Sequence, residues 1–246
     1  MRRYLIWGLA GYFLFLIATF PAQMALGLVL RGQSDIGVSN VEGTLWSGSV
    51  GTIATRKASL GPVVWDWRPS ALLLGRFEYD TFFQLAGGGG EVRVGRGLFD
   101  GFYLKTLEGN LNGAQLTQWI AVPGTQLGGS ILVDLPWAEF SNGTVTGLQG
   151  SIVWENASVI APVQLALGTL QVELSEKDGE LIGTVSDRGG PLAVSGAVAL
   201  HDGNRYGLNA KIKPRADVDP ALQDALSLLG QPDRAGNFTI SYSGSL

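Results

Sequence analysis

The chain has 246 residues, with 17 Lys+Arg against 21 Asp+Glu for a net charge of −4, 36 glycines and no cysteine. Without cysteine there is no disulfide framework and no thiolate zinc site, and a chain of this length buries enough apolar surface to fold without such staples. Three of the 17 basic residues, Arg2, Arg3 and Arg31, lie in the N-terminal region and all 21 acidic residues follow it, so the body is acidic and has no basic footprint for nucleic acid.

From Tyr4 to Phe20 no side chain is charged, and the apolar run resumes past Pro21 as far as Leu30 with Gln23 as its one strongly polar interruption. A spanning helix needs about 20 apolar residues, because nothing in the hydrocarbon core satisfies an open backbone hydrogen bond. Residues 1–30 are therefore expected to form a cytoplasmic start and a transmembrane anchor. The competing reading is a cleaved secretory signal with Arg2 and Arg3 as its basic start. Its cleavage site is poor: cutting after Ala22 leaves Phe20 three residues back, and cutting after Ala25 leaves Gln23 there. Basic residues near a span stay cytoplasmic, which predicts the N-terminus inside and residues 31–246 exported.

Beyond the anchor, continuous apolarity gives way to short alternating runs separated by glycine, the pattern of antiparallel β-structure. Phe77, Tyr79, Thr81, Phe83 and Leu85 share one face of a strand, opposite Glu78, Asp80 and Gln84. Leu170, Val172 and Leu174 share a face, as do Leu192, Val194, Val198 and Leu200, then Tyr206, Leu208, Ala210 and Ile212, and last Phe238, Ile240 and Tyr242. Turns are expected at Asn142-Gly143, Lys177-Asp178-Gly179, Arg188-Gly189-Gly190 and Asp202-Gly203-Asn204. Their spacing predicts a meander of neighbouring strands. The segments opening at Val41 and at Thr146 are weakly alike and suggest two pseudo-repeats, about 39–120 and 140–246.

Two short helices interrupt the strands. Gly113–Ile120 brings Leu116, Trp119 and Ile120 together before Pro123-Gly124 ends it. Near the C-terminus, Asp219 serves as N-cap and Pro220 as first helical residue, with Leu222, Ala225, Leu226 and Leu229 at helical spacing and Gly230 with Pro232 as the stop. This helix is expected to plug one end or edge of the sheet.

Residues that could carry chemistry are few. The one histidine, His201, precedes an Asp-Gly-Asn turn and reads as turn-flanking, with no partner signature for a catalytic base. Gly87 to Gly90 is followed by Glu91-Val92-Arg93-Val94, a strand pattern, so it reads as a hairpin connection and not as a phosphate loop. Asp217 and Asp219 suit a turn and a cap better than a calcium site. No enzyme activity, metal or cofactor is expected. Tryptophans 46, 65, 67, 119, 137 and 154 are expected to fill a core between sheets, or else to line a groove. The groove arises if one continuous apolar face, with Phe83, Val94, Val172 and Leu208 on it, has no second sheet to cover it; acyl chains or another protein would then occupy it.

Three blocks carry a family resemblance. They are Gly43-Thr44-Leu45-Trp46-Ser47-Gly48, then Trp65-Asp66-Trp67-Arg68-Pro69-Ser70-Ala71-Leu72-Leu73-Leu74-Gly75, then Leu228-Leu229-Gly230-Gln231-Pro232-Asp233-Arg234-Ala235-Gly236-Asn237-Phe238. In this order and with the N-terminal anchor, the chain resembles the type II secretion system protein N family of Gram-negative bacteria, itself distantly similar to AsmA-like proteins. The resemblance implies a mainly β fold, an elongated curved antiparallel sheet behind an N-terminal transmembrane helix, in an inner-membrane protein whose main domain is periplasmic. It implies a non-catalytic accessory role in exporting folded proteins across the outer membrane, with other secretion components as partners; an AsmA-like groove moving lipid is the alternative. The matching positions look architectural: Gly43, Gly48 and Gly236 for turns or close packing, Trp46 and Trp65 for burial, with Leu45, Pro69, Gly75, Gly230 and Pro232 completing the pattern.

Overall fold

The structure, a computed structural model, describes residues 2–31, 35–55, 59–97, 101–120, 124, 126–141, 144–161, 164–177, 180–201, 205–215, 220–227 and 231–245. Two helices open the chain, α1 (Arg2–Ala18) and α2 (Ala22–Val29). Strands β1 (Gly37–Gly43), β2 (Ser47–Ala54), β3 (Ser59–Leu60) and β4 (Val63–Trp67) follow, then a 3-10 helix (Pro69–Leu74) and strands β5 (Arg76–Leu85), β6 (Gly88–Gly97) and β7 (Phe102–Asn112). Helix α3 (Gly113–Ile120) leads to β8 (Gln126–Ser141), β9 (Thr144–Ala161), β10 (Leu165–Lys177), β11 (Glu180–Asp187), β12 (Leu192–His201) and β13 (Arg205–Pro214). Helix α4 (Pro220–Ser227) and β14 (Phe238–Ser245) end it.

All 14 strands belong to one sheet in which spatial order follows sequence order, with β3 alone off the path and paired to β2. Every pairing is antiparallel. The expected meander is thus present, as a single layer without a facing sheet among the described residues. Register shifts in the β6–β7, β8–β9 and β9–β10 ladders mark bulges, which bend a strand and add twist. Antiparallel order also sorts the connections. The β1–β2 turn, the 3-10 helix and the starts of β5 and β7 lie along one rim, whereas α3 and α4 lie along the other.

Helix α4 covers the sheet at that second rim. Its Leu222 and Leu226 are buried against Leu192, Val194 and Phe238, with Leu170, Val185 and Ile212 packed around them. The turn at Arg188-Gly189-Gly190 connects β11 to β12 as its composition predicts. The turns expected at Asn142-Gly143 and Asp202-Gly203-Asn204, Asp178 and Gly179 of the turn after Lys177, Asp217, the cap Asp219, and Leu229 and Gly230 lie outside the described residues.

Two expectations need correction. The apolar stretch 4–30 does not form one helix. It breaks at Thr19–Pro21, and no helix among the described residues is long and apolar enough to cross a membrane. The cause is Pro21, which lacks an N–H and biases Phe20 out of the helical region; Pro21 itself is extended, with φ −66° and ψ 137°. The second correction concerns Gly87 to Gly90. The connection is only Ala86-Gly87, and Gly88, Gly89 and Gly90 are already strand, paired with Leu85, Gln84 and Phe83.

Candidate functional site

The apolar face can be followed across the whole sheet by register. Val41 stands opposite Val50, Val50 opposite Val63, and Val63 opposite Phe83. The row continues through Gly90, Gly109, Val133 and Ile152 to Val172. It ends through Val185, Gly196 and Ala210 at Ile240 on β14. One polypeptide face therefore keeps an unbroken apolar lane from the first edge strand to the last. The four positions singled out in the sequence all lie on this face. Phe83 and Val172 are in the lane, Val94 stands between Tyr79 and Leu104, and Leu208 stands between Val198 and Tyr242. All four are half-buried. A recess of about 310 Å³ opens on the face, lined by Leu148, Leu174, Leu181, Val198, Leu200 and Tyr206 among others.

The first two sequence blocks meet at the rim where the N-terminal helices join the sheet. Gly43, with φ +86°, closes β1, and the turn that follows grips the α1–α2 break. The Leu45 N–H donates to Phe20 O at 2.8 Å, and the Trp46 Nε1–H donates to Ile17 O at 2.7 Å, a last-turn carbonyl that also accepts the Phe20 N–H at 3.3 Å. Gln23 Nε2 reaches from α2 to Val41 O at 3.2 Å. Trp46 and Trp67 contact each other with ring centroids 4.5 Å apart. Trp65 lies over Gly48 and donates to Leu45 O at 3.2 Å. A β-carbon at Gly48 would come within 2.6 Å of both the Trp65 ring and Glu42 O, so only glycine fits there. Pro69 opens the 3-10 helix and Gly75 ends it in the left-handed region at φ 66°.

The tryptophans depart from expectation. Trp46, Trp65, Trp67, Trp137 and Trp154 are each half-buried, because a single-layer sheet has no core between sheets to receive them. Trp154 donates instead to Gly128 O at 2.8 Å, and Trp137 lies over Gly147. The side chain of Trp119 lies outside what the structure describes.

The third block forms the link from α4 to β14. Asp233 accepts from the backbone N–H groups of Ala235 and Asn237 at 2.8 and 2.9 Å and from the Asn237 amide. These bonds hold the Asp233 carboxyl below the usual range, the Asn237 amide contributing most. Gly236 sits at φ +83° and Pro232 is exposed. The loop delivers Phe238 into the α4 cluster.

The opposite face carries a feature that alternation alone did not reveal. Glu78, expected on a wet face, is buried, and its carboxylate accepts from the Tyr103 hydroxyl at 2.7 Å and from Lys105 Nζ at 3.1 Å. Tyr103 reaches it by lying flat across Gly95, the residue between them in register. Burial alone would push the Glu78 carboxyl up, but the Tyr103 and Lys105 hydrogen bonds and the Lys105 and Arg93 charges together hold it below its ordinary value. Asp80 pairs with Arg93 at 2.7 Å and Arg68 at 3.4 Å. Further along this face Glu91, Glu108 and Asp134 stand directly opposite one another. The signal in the sequence was Tyr103 and Lys105 at spacing two, with Gly95 able to admit the ring. His201 ends β12 opposite Arg205.

Comparison with known proteins places the chain. Its residues 34–241 match the family described as Type II secretion system (T2SS), protein N. It is similar to the Type II secretion system protein N of Vibrio cholerae serotype O1, 29% identical over 94% of this chain and 92% of that protein. It is also similar to the proteins of that name from Aeromonas hydrophila, at 24% identity over 97% and 96%, and Pectobacterium carotovorum, at 23% over 96% and 94%. No solved structure matches it. With its first two blocks forming the joint of helix and sheet and the third steering the last strand, the chain belongs to the type II secretion system protein N family.

Proposed function

We propose that the chain serves type II secretion as a non-catalytic accessory component of the bacterial inner membrane, and that the apolar sheet face is where another component of the secretion machine docks. The observation that carries this reading is the apolar lane from Val41 to Ile240 on a sheet with no facing layer among the described residues. Extended apolar surface on a folded protein marks a place of contact. Attachment to the membrane rests on α1, whose residues Leu5, Ile6, Trp7, Leu9, Phe13, Leu14 and Phe15 are all exposed on every side of the helix. With 17 residues it is only about 26 Å long, so it attaches by burying apolar side chains in the bilayer, with Arg2 and Arg3 at its start placed to meet anionic headgroups.

A second reading is carried by the 310 Å³ recess, whose walls are almost wholly aliphatic and suit an acyl chain, as in a groove that moves lipid or aids envelope assembly. Photocrosslinking in living cells separates the two. Photoreactive residues replace Phe83, Val94, Val172 and Leu208, with Gln84 and Glu173 as controls on the polar face. Docking predicts discrete protein adducts at the four apolar positions and none at the controls. Lipid adducts confined to the apolar positions would replace docking with lipid carriage, and a silent apolar face would remove both.

A further inference from the structure

The rim that carries α1 also carries apolar side chains that no part of the sheet covers. In the 3-10 helix, Leu73 is 89% and Leu74 74% exposed, and Leu72 beside them is exposed as well. These leucines are not on a loose loop. Ala71 is buried beneath them, the Arg68 N–H donates to Glu78 O at 2.8 Å, and the Gly75 N–H returns to Leu72 O at 2.9 Å. A fastened turn that aims consecutive leucines outward keeps them available to a surface, since a water-facing turn gains nothing from them. Phe77 and Phe102, both exposed, extend the patch along the starts of β5 and β7.

We propose that this rim is a second membrane contact, lying in the headgroup region of the bilayer into which α1 inserts; the inference rests on the membrane attachment proposed above. Continuity with α1 identifies a bilayer as the occupant. Trp46 holds the end of α1 through Ile17 O and packs on Trp67, and Trp67 is two residues from Pro69, so the end of the inserted helix and the exposed leucines belong to one connected joint. Charge agrees. Arg96, exposed and opposite Phe77, flanks the patch where its guanidinium meets anionic headgroups while its stem stays apolar; Arg68 and Arg76 beside it are half-buried, Arg68 on Asp80 and Arg76 over the Tyr103 ring. The row of Glu91, Glu108 and Asp134 lies further down the polar face, away from the rim. Tryptophans at the joint suit the interfacial zone.

The absence of native cysteine allows a clean test. Full-length protein bearing Leu73→Cys, Leu14→Cys or Gln223→Cys is labelled with a polarity-sensitive fluorophore and reconstituted into vesicles of phosphatidylethanolamine and phosphatidylglycerol containing a lipid-borne quencher. Position 14 reports α1, and position 223, exposed on α4 at the far rim, reports the aqueous side. The expected result is quenching at position 73 at least about threefold stronger than at position 223, approaching that at position 14. Strong quenching at 14 with position 73 as weak as 223 overturns the rim contact and leaves the attachment standing. Weak quenching at position 14 overturns the attachment and the rim contact with it.

Discussion

Trp46 and Trp67 share one contact but are held by different forces. The indole N–H of Trp46 completes the end of α1, while Trp67 Nε1 is buried with no partner among the described residues. Trp46→Phe should therefore weaken docking of α1 by about 1 kcal/mol, the usual net worth of such a bond, whereas Trp67→Phe should be neutral or slightly stabilising because it removes an unsatisfied donor. Urea unfolding of the two variants in the same detergent checks the contrast. Glu78 supplies a pH dependence. Its folded pKa lies below the ordinary carboxyl value, so its ion pair contributes fully above the unfolded pKa of about 4.3 and is lost as pH falls through the lower folded value. Stability should begin to drop as pH falls below about 5 and go on dropping through the lower folded value, and Tyr103→Phe, which removes one of the bonds that depress the pKa, should make that drop shallower. Thermal melts across this range measure the slope. Glu91, Glu108 and Asp134 are like charges in register, so Glu108→Gln should raise stability at neutral pH by about 0.2–1 kcal/mol, read as a higher melting temperature.

Among the elements, α4 is the cover whose removal is most easily measured. Leu222 and Leu226 are its buried residues, and Leu222→Ala should cost about 2–5 kcal/mol, exposing Val194 and Phe238 and making the second rim the first region to exchange amide hydrogens. Both α3 and α4 were legible because capping, proline and helical spacing are local signals, and α4 packs as those signals indicate. The N-terminal helices were less so. Hydropathy reads straight through Pro21, but the backbone preceding a proline leaves the helical region, and bonds from Leu45 and Trp46, distant in sequence, then fix the break. Gly88 to Gly90 escaped reading for a related reason. Glycine has no strand preference of its own, and these three are strand because β5 and β7 pair with them on either side.

At the scale of the molecule the decisive property is one that alternation cannot report. A strand with one apolar face looks the same whether a second sheet covers it or not, so the tryptophans read as filling for a core between sheets that this single layer does not have. The positions Phe83, Val94, Val172 and Leu208 were legible as sharing a face; their continuity from β1 to β14 depends on register, which only pairing sets. Val50, Val63 and Ala210 on this face are buried and Phe83, Val172 and Leu208 are half-buried, and in the proposed reading the part left open is where a partner docks. The most direct measurement is secretion by cells whose only copy of the chain carries Val172→Asn with Leu208→Asn, beside cells carrying Glu173→Gln, with protease resistance of each purified variant confirming that it is folded. The apolar-face variant should be folded and membrane-attached yet retain the type II substrates inside the outer membrane, while the polar-face variant should secrete normally. Normal secretion from a folded apolar-face variant would contradict it.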